Sequence, residues 1–94
     1  MEIPVKGLKL ILGRVSDGEI TDADYFINYN TTIYPELTIM VDVDWDKLPE
    51  GVAYNYNKYL KDKYGDVVRT FLKTLDIKFN GRIEFDILNW SDKD

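Results

Sequence analysis

A group of aspartates and glutamates carries the first chemical suggestion in this 94-residue chain. Within residues 37–46, LTIMVDVDWD, extended backbone sends Asp42, Asp44 and Asp46 to one side with Thr38 and Met40. Leu37, Ile39, Val41, Val43 and Trp45 then point the other way. Same-side positions on a strand lie about 7 Å apart, so the aspartates form an acidic ladder. Near the other end, RIEFDILNW repeats the alternation, with Glu84, Asp86, Leu88 and Trp90 opposite Ile83, Phe85 and Ile87. Clustered carboxylate oxygens suit Mg²⁺ or Ca²⁺, and two-metal phosphodiester enzymes use such groups. Asp42, Asp44 and Asp86 are the set that would serve that chemistry. Paired carboxylates also act as acid and base in glycoside hydrolysis. Neither activity is accompanied here by a calcium-loop pattern or by a cleft that would desolvate a carboxyl group.

The remaining catalytic inventory is thin. The chain has no Cys and no His, which removes thiol nucleophiles, imidazole bases and the commonest zinc ligands. Ser16 falls in a turn pattern and Ser91 near the end, with no imidazole to activate either, and no glycine-rich phosphate loop is present. The expectation is a non-enzymatic protein without a cofactor.

The same residues make better sense as a binding surface. Met40, Leu88 and Trp90 emerge among Asp42, Asp44, Asp46, Glu84 and Asp86, and Phe26 joins them if its strand has the matching register. An apolar patch rimmed by acid is an anchor-and-rim interface, with Trp the natural hot spot and Met an adaptable contact. Seventeen Asp and Glu against twelve Lys and Arg give a formal charge of -5, a field that repels nucleic acid and anionic membranes and attracts basic proteins. The reading that follows is a small acidic protein-binding module that occupies a basic surface of a nucleic-acid-handling partner. Inhibitors, immunity proteins and phage-encoded antagonists are often built this way, an analogy of size and charge only. The alternatives are the metal-dependent phosphodiester enzyme and a structural homodimer whose seam is this face. A tyrosine- and lysine-rich stretch, VAYNYNKYLKDKY, could stack bases, but Tyr56 and Tyr59 fall on an apolar helical stripe, so direct nucleic-acid binding is disfavoured.

The elements that must hold these residues follow from pattern. A hydrophobic fraction of 45% places the 94 residues as one folded domain. Val5 to Val15 reads as a first strand, its apolar run too interrupted by Lys6, Gly7 and Lys9 for a signal peptide or membrane span. Absence of Cys fits a reducing, cytoplasmic setting. Asp17-Gly18 turns the chain into residues 21–30, where Tyr25, Ile27 and Tyr29 alternate with Asp24, Phe26 and Asn28 as in a strand, although Thr21 and Asp24 could also cap a short helix; three aromatics and an Ile in five residues favour the strand. Asn30-Thr31-Thr32 turns again into 37–46. Pro49 opens a helix with Asp46 near its cap, running to Leu75 and bending or breaking near Gly65-Asp66, since a straight rod of that length, roughly 40 Å, would exceed the globule. Asn80-Gly81 predicts a second hairpin, into a long last strand over 82–90. The fold class is α+β: a largely antiparallel sheet of about four strands, in the order β-β-β-α-β, with a long kinked helix on one face.

Overall fold

The computed structural model of the protein describes residues 2–29, 34–49, 51 and 55–89. The expected turn at Asn30-Thr31-Thr32, Tyr54, Trp90 and the end at 91–94 lie outside them. The elements in order are α1 (Val5–Val15), β1 (Ile20–Asn28), β2 (Glu36–Val43), a 3-10 turn (Trp45–Lys47), α2 (Tyr56–Thr74) and β3 (Arg82–Ile87). They build a mixed α+β domain with a three-stranded sheet in the order β1-β2-β3.

The opening segment is a helix, not the expected strand. Leu8 and Leu12 are buried four residues apart, and Ile11 packs against the same core, which is the i, i+3, i+4 pattern of a helix stripe. The apolar density that suggests a strand is therefore spent on a helical seam. Gly7 sits where α1 meets α2: a Cβ there would come within 3.1 Å of the Phe71 ring. Asp17 (φ 54°) and Gly18 (φ 84°) then reverse the chain as expected, but from a helix C-terminus into β1 rather than between two strands.

The sheet has three strands and is mixed. β1 and β2 pair antiparallel, whereas β2 and β3 pair parallel. A 19-residue helix between two neighbouring strands carries the chain back along the sheet, so the second strand starts at the same end as the first. Asn80-Gly81 consequently makes no hairpin. Gly81 is required for a different reason: any Cβ would overlap the carbonyl oxygen of Pro35, and Arg82 donates its N–H to that oxygen at 3.2 Å. Close approach of two backbones selects the glycine, not turn geometry.

The helix also differs from expectation. It starts at Tyr56, with Asn55 at its N-cap, and α-helix continues across Gly65. Its 19 residues span about 28 Å, inside a molecule 36 Å in its longest dimension, so nothing in the dimensions forces a bend. The buried positions Tyr56, Leu60, Tyr64, Val68 and Leu72 recur every fourth residue and form one seam.

The core joins Leu8 and Leu12 of α1, that α2 seam, Leu37, Ile39, Val41 and Val43 of β2, and Ile83, Phe85 and Ile87 of β3. Every odd-numbered residue of β2 and β3 is thus on the side that holds the core, and the even-numbered ones are left on the opposite face of the sheet.

Candidate interaction face

The register decides which residues share that outer face. Asp24 of β1 and Asp86 of β3 both stand opposite Met40 of β2, one on each side. One row along, Phe26 and Glu84 flank Thr38; in the next, Asn28 and Arg82 flank Glu36; at the far end Asp22 faces Asp42. Leu88, whose N–H donates to the Val41 carbonyl at 2.8 Å, follows directly after β3. Strands separated by about 4.8 Å put Asp24 and Asp86 about 10 Å apart at the backbone, with Met40 between them.

Of the expected site residues, the structure brings Met40, Asp42, Glu84 and Asp86 onto one face, with Leu88 beside them. Asp44 and Asp46 do not continue the ladder. β2 ends at Val43, and Asp44 caps the 3-10 turn with its side chain accepting from the Asp46 N–H at 3.1 Å. An Asp-x-Asp pattern is as good a local cap as it is a strand face, and the cap satisfies an otherwise orphaned amide. Asp46 is accordingly not the cap of α2. Trp45 packs edge-on against Tyr56, with ring centroids 5.0 Å apart, and its indole N–H donates to the Asn89 carbonyl at 3.1 Å. Asn89 in turn bonds both the N–H and the carbonyl of Val43, tying the end of β3 to the end of β2. Trp90, the expected hot spot, lies outside the described residues.

β1 supplies what sequence reasoning undervalued. Asp22 and Asp24 extend the acidic face across the whole sheet, and the DADYF alternation is the signal that would have found them. Phe26 is 57% exposed and Leu88 55%, so two large apolar side chains reach water amid the carboxylates.

Ion pairs divide this face. Glu36 meets Arg82 at 2.8 Å; Glu84 meets Lys61 at 2.9 Å and Arg82 at 3.2 Å; Asp22 meets Lys9 at 3.6 Å. Among the described residues no ion pair reaches Asp24, Asp42 or Asp86. The uncompensated charge is concentrated around Met40.

Side chains occupy part of both edges of the sheet. The Val41 carbonyl faces β3, so even-numbered residues of β2 bond to β1 and the odd-numbered amides of β1 face outward. Asp22 and Asp24 accept from two of these, Ala23 N–H at 2.9 Å and Tyr25 N–H at 2.7 Å. At the other edge Asn57 donates to the Phe85 carbonyl at 2.7 Å and Arg69 to the Gly81 carbonyl at 3.1 Å. Strand addition, the commonest way for a sheet to recruit a partner, is therefore obstructed, and the open surface is the face.

One buried polar cluster lies on the core side. Glu19, 4% exposed, accepts from the hydroxyls of Tyr59 and Tyr64, each at 3.0 Å, with the Lys63 ammonium 3.6 Å away. Lys63 also donates to the Tyr59 hydroxyl at 3.0 Å, and that bond, aided by Tyr64 and Glu19, holds the ammonium protonated above the usual lysine range despite desolvation. Burial pushes the Tyr64 phenol up to about 12, opposed by Lys63 and aided by Glu19. Sequence reasoning reaches these tyrosines as core or stacking residues but not their partner Glu19, which lies 40 and 45 positions earlier with no local signal. Both carboxylate oxygens of Glu19 are occupied, and the cluster ties the start of β1 to α2.

Among the described residues no three acidic side chains are placed to hold a metal ion, and no helix is long and apolar enough to cross a membrane. Comparison with protein-family models, with curated proteins and with solved structures gives no match to this chain.

Proposed function

We propose that the outer face of the sheet is a docking surface for a basic protein, and that the chain acts as a binding module, an inhibitor or antagonist, rather than as an enzyme. One observation carries the reading: the register sets Asp24 and Asp86 on either side of Met40, with Asp42 one position along, and none of the three is neutralised by an ion pair among the described residues. Long-range attraction from these carboxylates would raise the encounter rate with a cationic surface, while Met40, Phe26 and Leu88 would supply the desolvated contacts that slow dissociation. Asp24 and Asp86 stand about 10 Å apart on β1 and β3, with Asp42 about 7 Å along β2 from Met40, while Asp22 and Glu84 in the same rows are ion-paired. Such a charge array suits a surface made to hold nucleic acid, which supports a nucleic-acid-handling protein as the partner.

A homodimer built on the same face is disfavoured by its own charge. A two-fold axis would set the acidic patch against itself, and like charges in contact oppose association.

The test is capture from the native host with immobilised wild-type chain beside the D24K/D86K double variant. The expected result is a basic nucleic-acid-handling protein retained by wild type, released by added salt and by competing duplex DNA, and absent from the variant. Retention of the same proteins by both chains, or binding unaffected by salt, would overturn the proposal.

A further inference from the structure

A second surface of the molecule has the opposite charge. A depression of about 220 Å³ lies where the C-terminal end of α2 meets the segment leading into β3, lined by Arg69, Leu72, Lys73, Ile77, Lys78, Phe79 and Asn80. Three of these are cations and none is an acid, in a chain of formal charge -5. Lys9, Lys58, Lys61, Lys63 and Arg82 each have a carboxylate within 4 Å; no described carboxylate pairs with Arg69, Lys73 or Lys78, nor with Lys6, Arg14 or Lys47, and what sets the first three apart is that they line one depression. Lys73 lies in the last turn of α2, where a cation complements the helix dipole. That accounts for one charge of the three. Arg69 stands a turn earlier and Lys78 follows the helix, so their convergence is not explained by the dipole.

We propose that this depression binds a phosphate monoester carried on a compact aromatic body, the chemistry of a mononucleotide or of a nucleic-acid strand ending in a phosphate. Arg69 is oriented by its bond to the Gly81 carbonyl, made through one terminal nitrogen, which leaves further guanidinium N–H groups for a phosphate oxygen. Lys73 and Lys78 add two point charges, whose mutual repulsion an anion relieves. Leu72, Ile77 and half-buried Phe79 form the apolar part of the wall, and an aromatic ring can lie against Phe79 as bases lie against aromatic side chains. Asn80 offers an amide donor and acceptor for the ring edge. The depression takes a phosphoryl group and about one ring, since a cavity of roughly 150 Å³ suffices for benzene, so the sugar and the second ring of a purine would lie over its open rim. Inorganic phosphate uses only the cations and adenosine only the wall. The binding does not depend on the acidic face.

Amide chemical shifts would be followed during separate titrations with AMP, inorganic phosphate, adenosine and a 5′-phosphorylated dinucleotide. AMP should shift the amides of Lys73 and of Ile77 to Asn80, with inorganic phosphate and adenosine each at least about tenfold weaker. The K73E/K78E variant, altered only at exposed side chains, should stay folded with its thermal midpoint lowered by a few degrees through the lost dipole contact of Lys73, and should weaken AMP by at least about tenfold. Tighter binding of the dinucleotide than of AMP identifies a strand end as the source of the phosphate; the reverse order identifies the free nucleotide. No shift at millimolar AMP, equal affinity for inorganic phosphate and AMP, or undiminished binding by K73E/K78E would each overturn the proposal.

Discussion

Replacing Tyr64 by Phe should destabilise the fold by about 2 kcal/mol, and the loss should come from one hydroxyl. Tyr64 is 2% exposed and donates to Oε1 of Glu19 at 3.0 Å, while Glu19 is itself buried. Phe fills the same space, so no cavity term enters; the change removes a hydrogen bond to a charged acceptor, worth about 1.5–3 kcal/mol. For a domain of this size that lowers the melting midpoint by about 10 °C. Tyr59→Phe is the internal control. Its hydroxyl makes the matching bond to Oε2, also at 3.0 Å, but on a half-buried side chain where water can replace it, so its loss should be under about 1 kcal/mol. The pH dependence supplies a second reading. Burial raises the Tyr64 phenol from its ordinary value near 10 to about 12, so the folded state favours the protonated form. The resulting stabilisation, about 3 kcal/mol, is complete below pH 10 and is lost as pH rises from 10 to 12. The gap between wild type and Tyr64→Phe should therefore close over that interval. Urea unfolding followed by far-UV circular dichroism at pH 7, and then at steps up to pH 12, measures both effects. A Tyr64→Phe variant within about 0.5 kcal/mol of wild type at pH 7, or a gap unchanged at pH 12, would refute the account of this cluster.

The glycines separate two kinds of constraint. Gly65 lies in α2 with open space where a Cβ would go, so Gly65→Ala should stabilise by about 1 kcal/mol, read as a rise in the urea midpoint. Gly81→Ala should destabilise by about 3 kcal/mol or prevent folding, because its Cβ would overlap the Pro35 carbonyl and part β2 from β3; wild-type stability would show that this contact is not obligatory. Asn57→Ala removes the donor to the Phe85 carbonyl at the β3 edge and should cost about 1 kcal/mol, with concentration-dependent mass in light scattering if the exposed edge recruits a second chain.

The local periodicities of this chain were legible where one rule operated. Alternation in Glu36–Val43 and Arg82–Ile87 showed which side chains go to the core, and it led to one outer face containing Met40, Asp42, Glu84 and Asp86, because period 2 is a property of extended backbone whatever its neighbours are. Alternation favoured a strand at β1 over a short helix capped by Thr21 and Asp24, and the register then sets Phe26 on the outer face, where it is exposed. Where two rules compete over few residues, the sequence left the outcome open. The apolar run at Val5–Val15 satisfies both a strand and a helix stripe, and only packing of Leu8 and Leu12 into a shared core selects the helix. Asp44 and Asp46 satisfy both a strand face and a cap, and the end of β2 at Val43 selects the cap.

Tertiary structure alone decided the rest. Asn80-Gly81 is locally a hairpin dipeptide, but α2 returns the chain so that β3 runs parallel to β2, and the glycine answers to the Pro35 carbonyl. Glu19 acquires its buried partners from residues 40 and 45 positions away, Tyr59 and Tyr64, and no local pattern encodes that meeting. The same holds for the row Asp24, Met40, Asp86: the sequence determined that each carboxylate points away from the core, and the strand order and register determined that they stand together, since pairing across a sheet is a non-local choice.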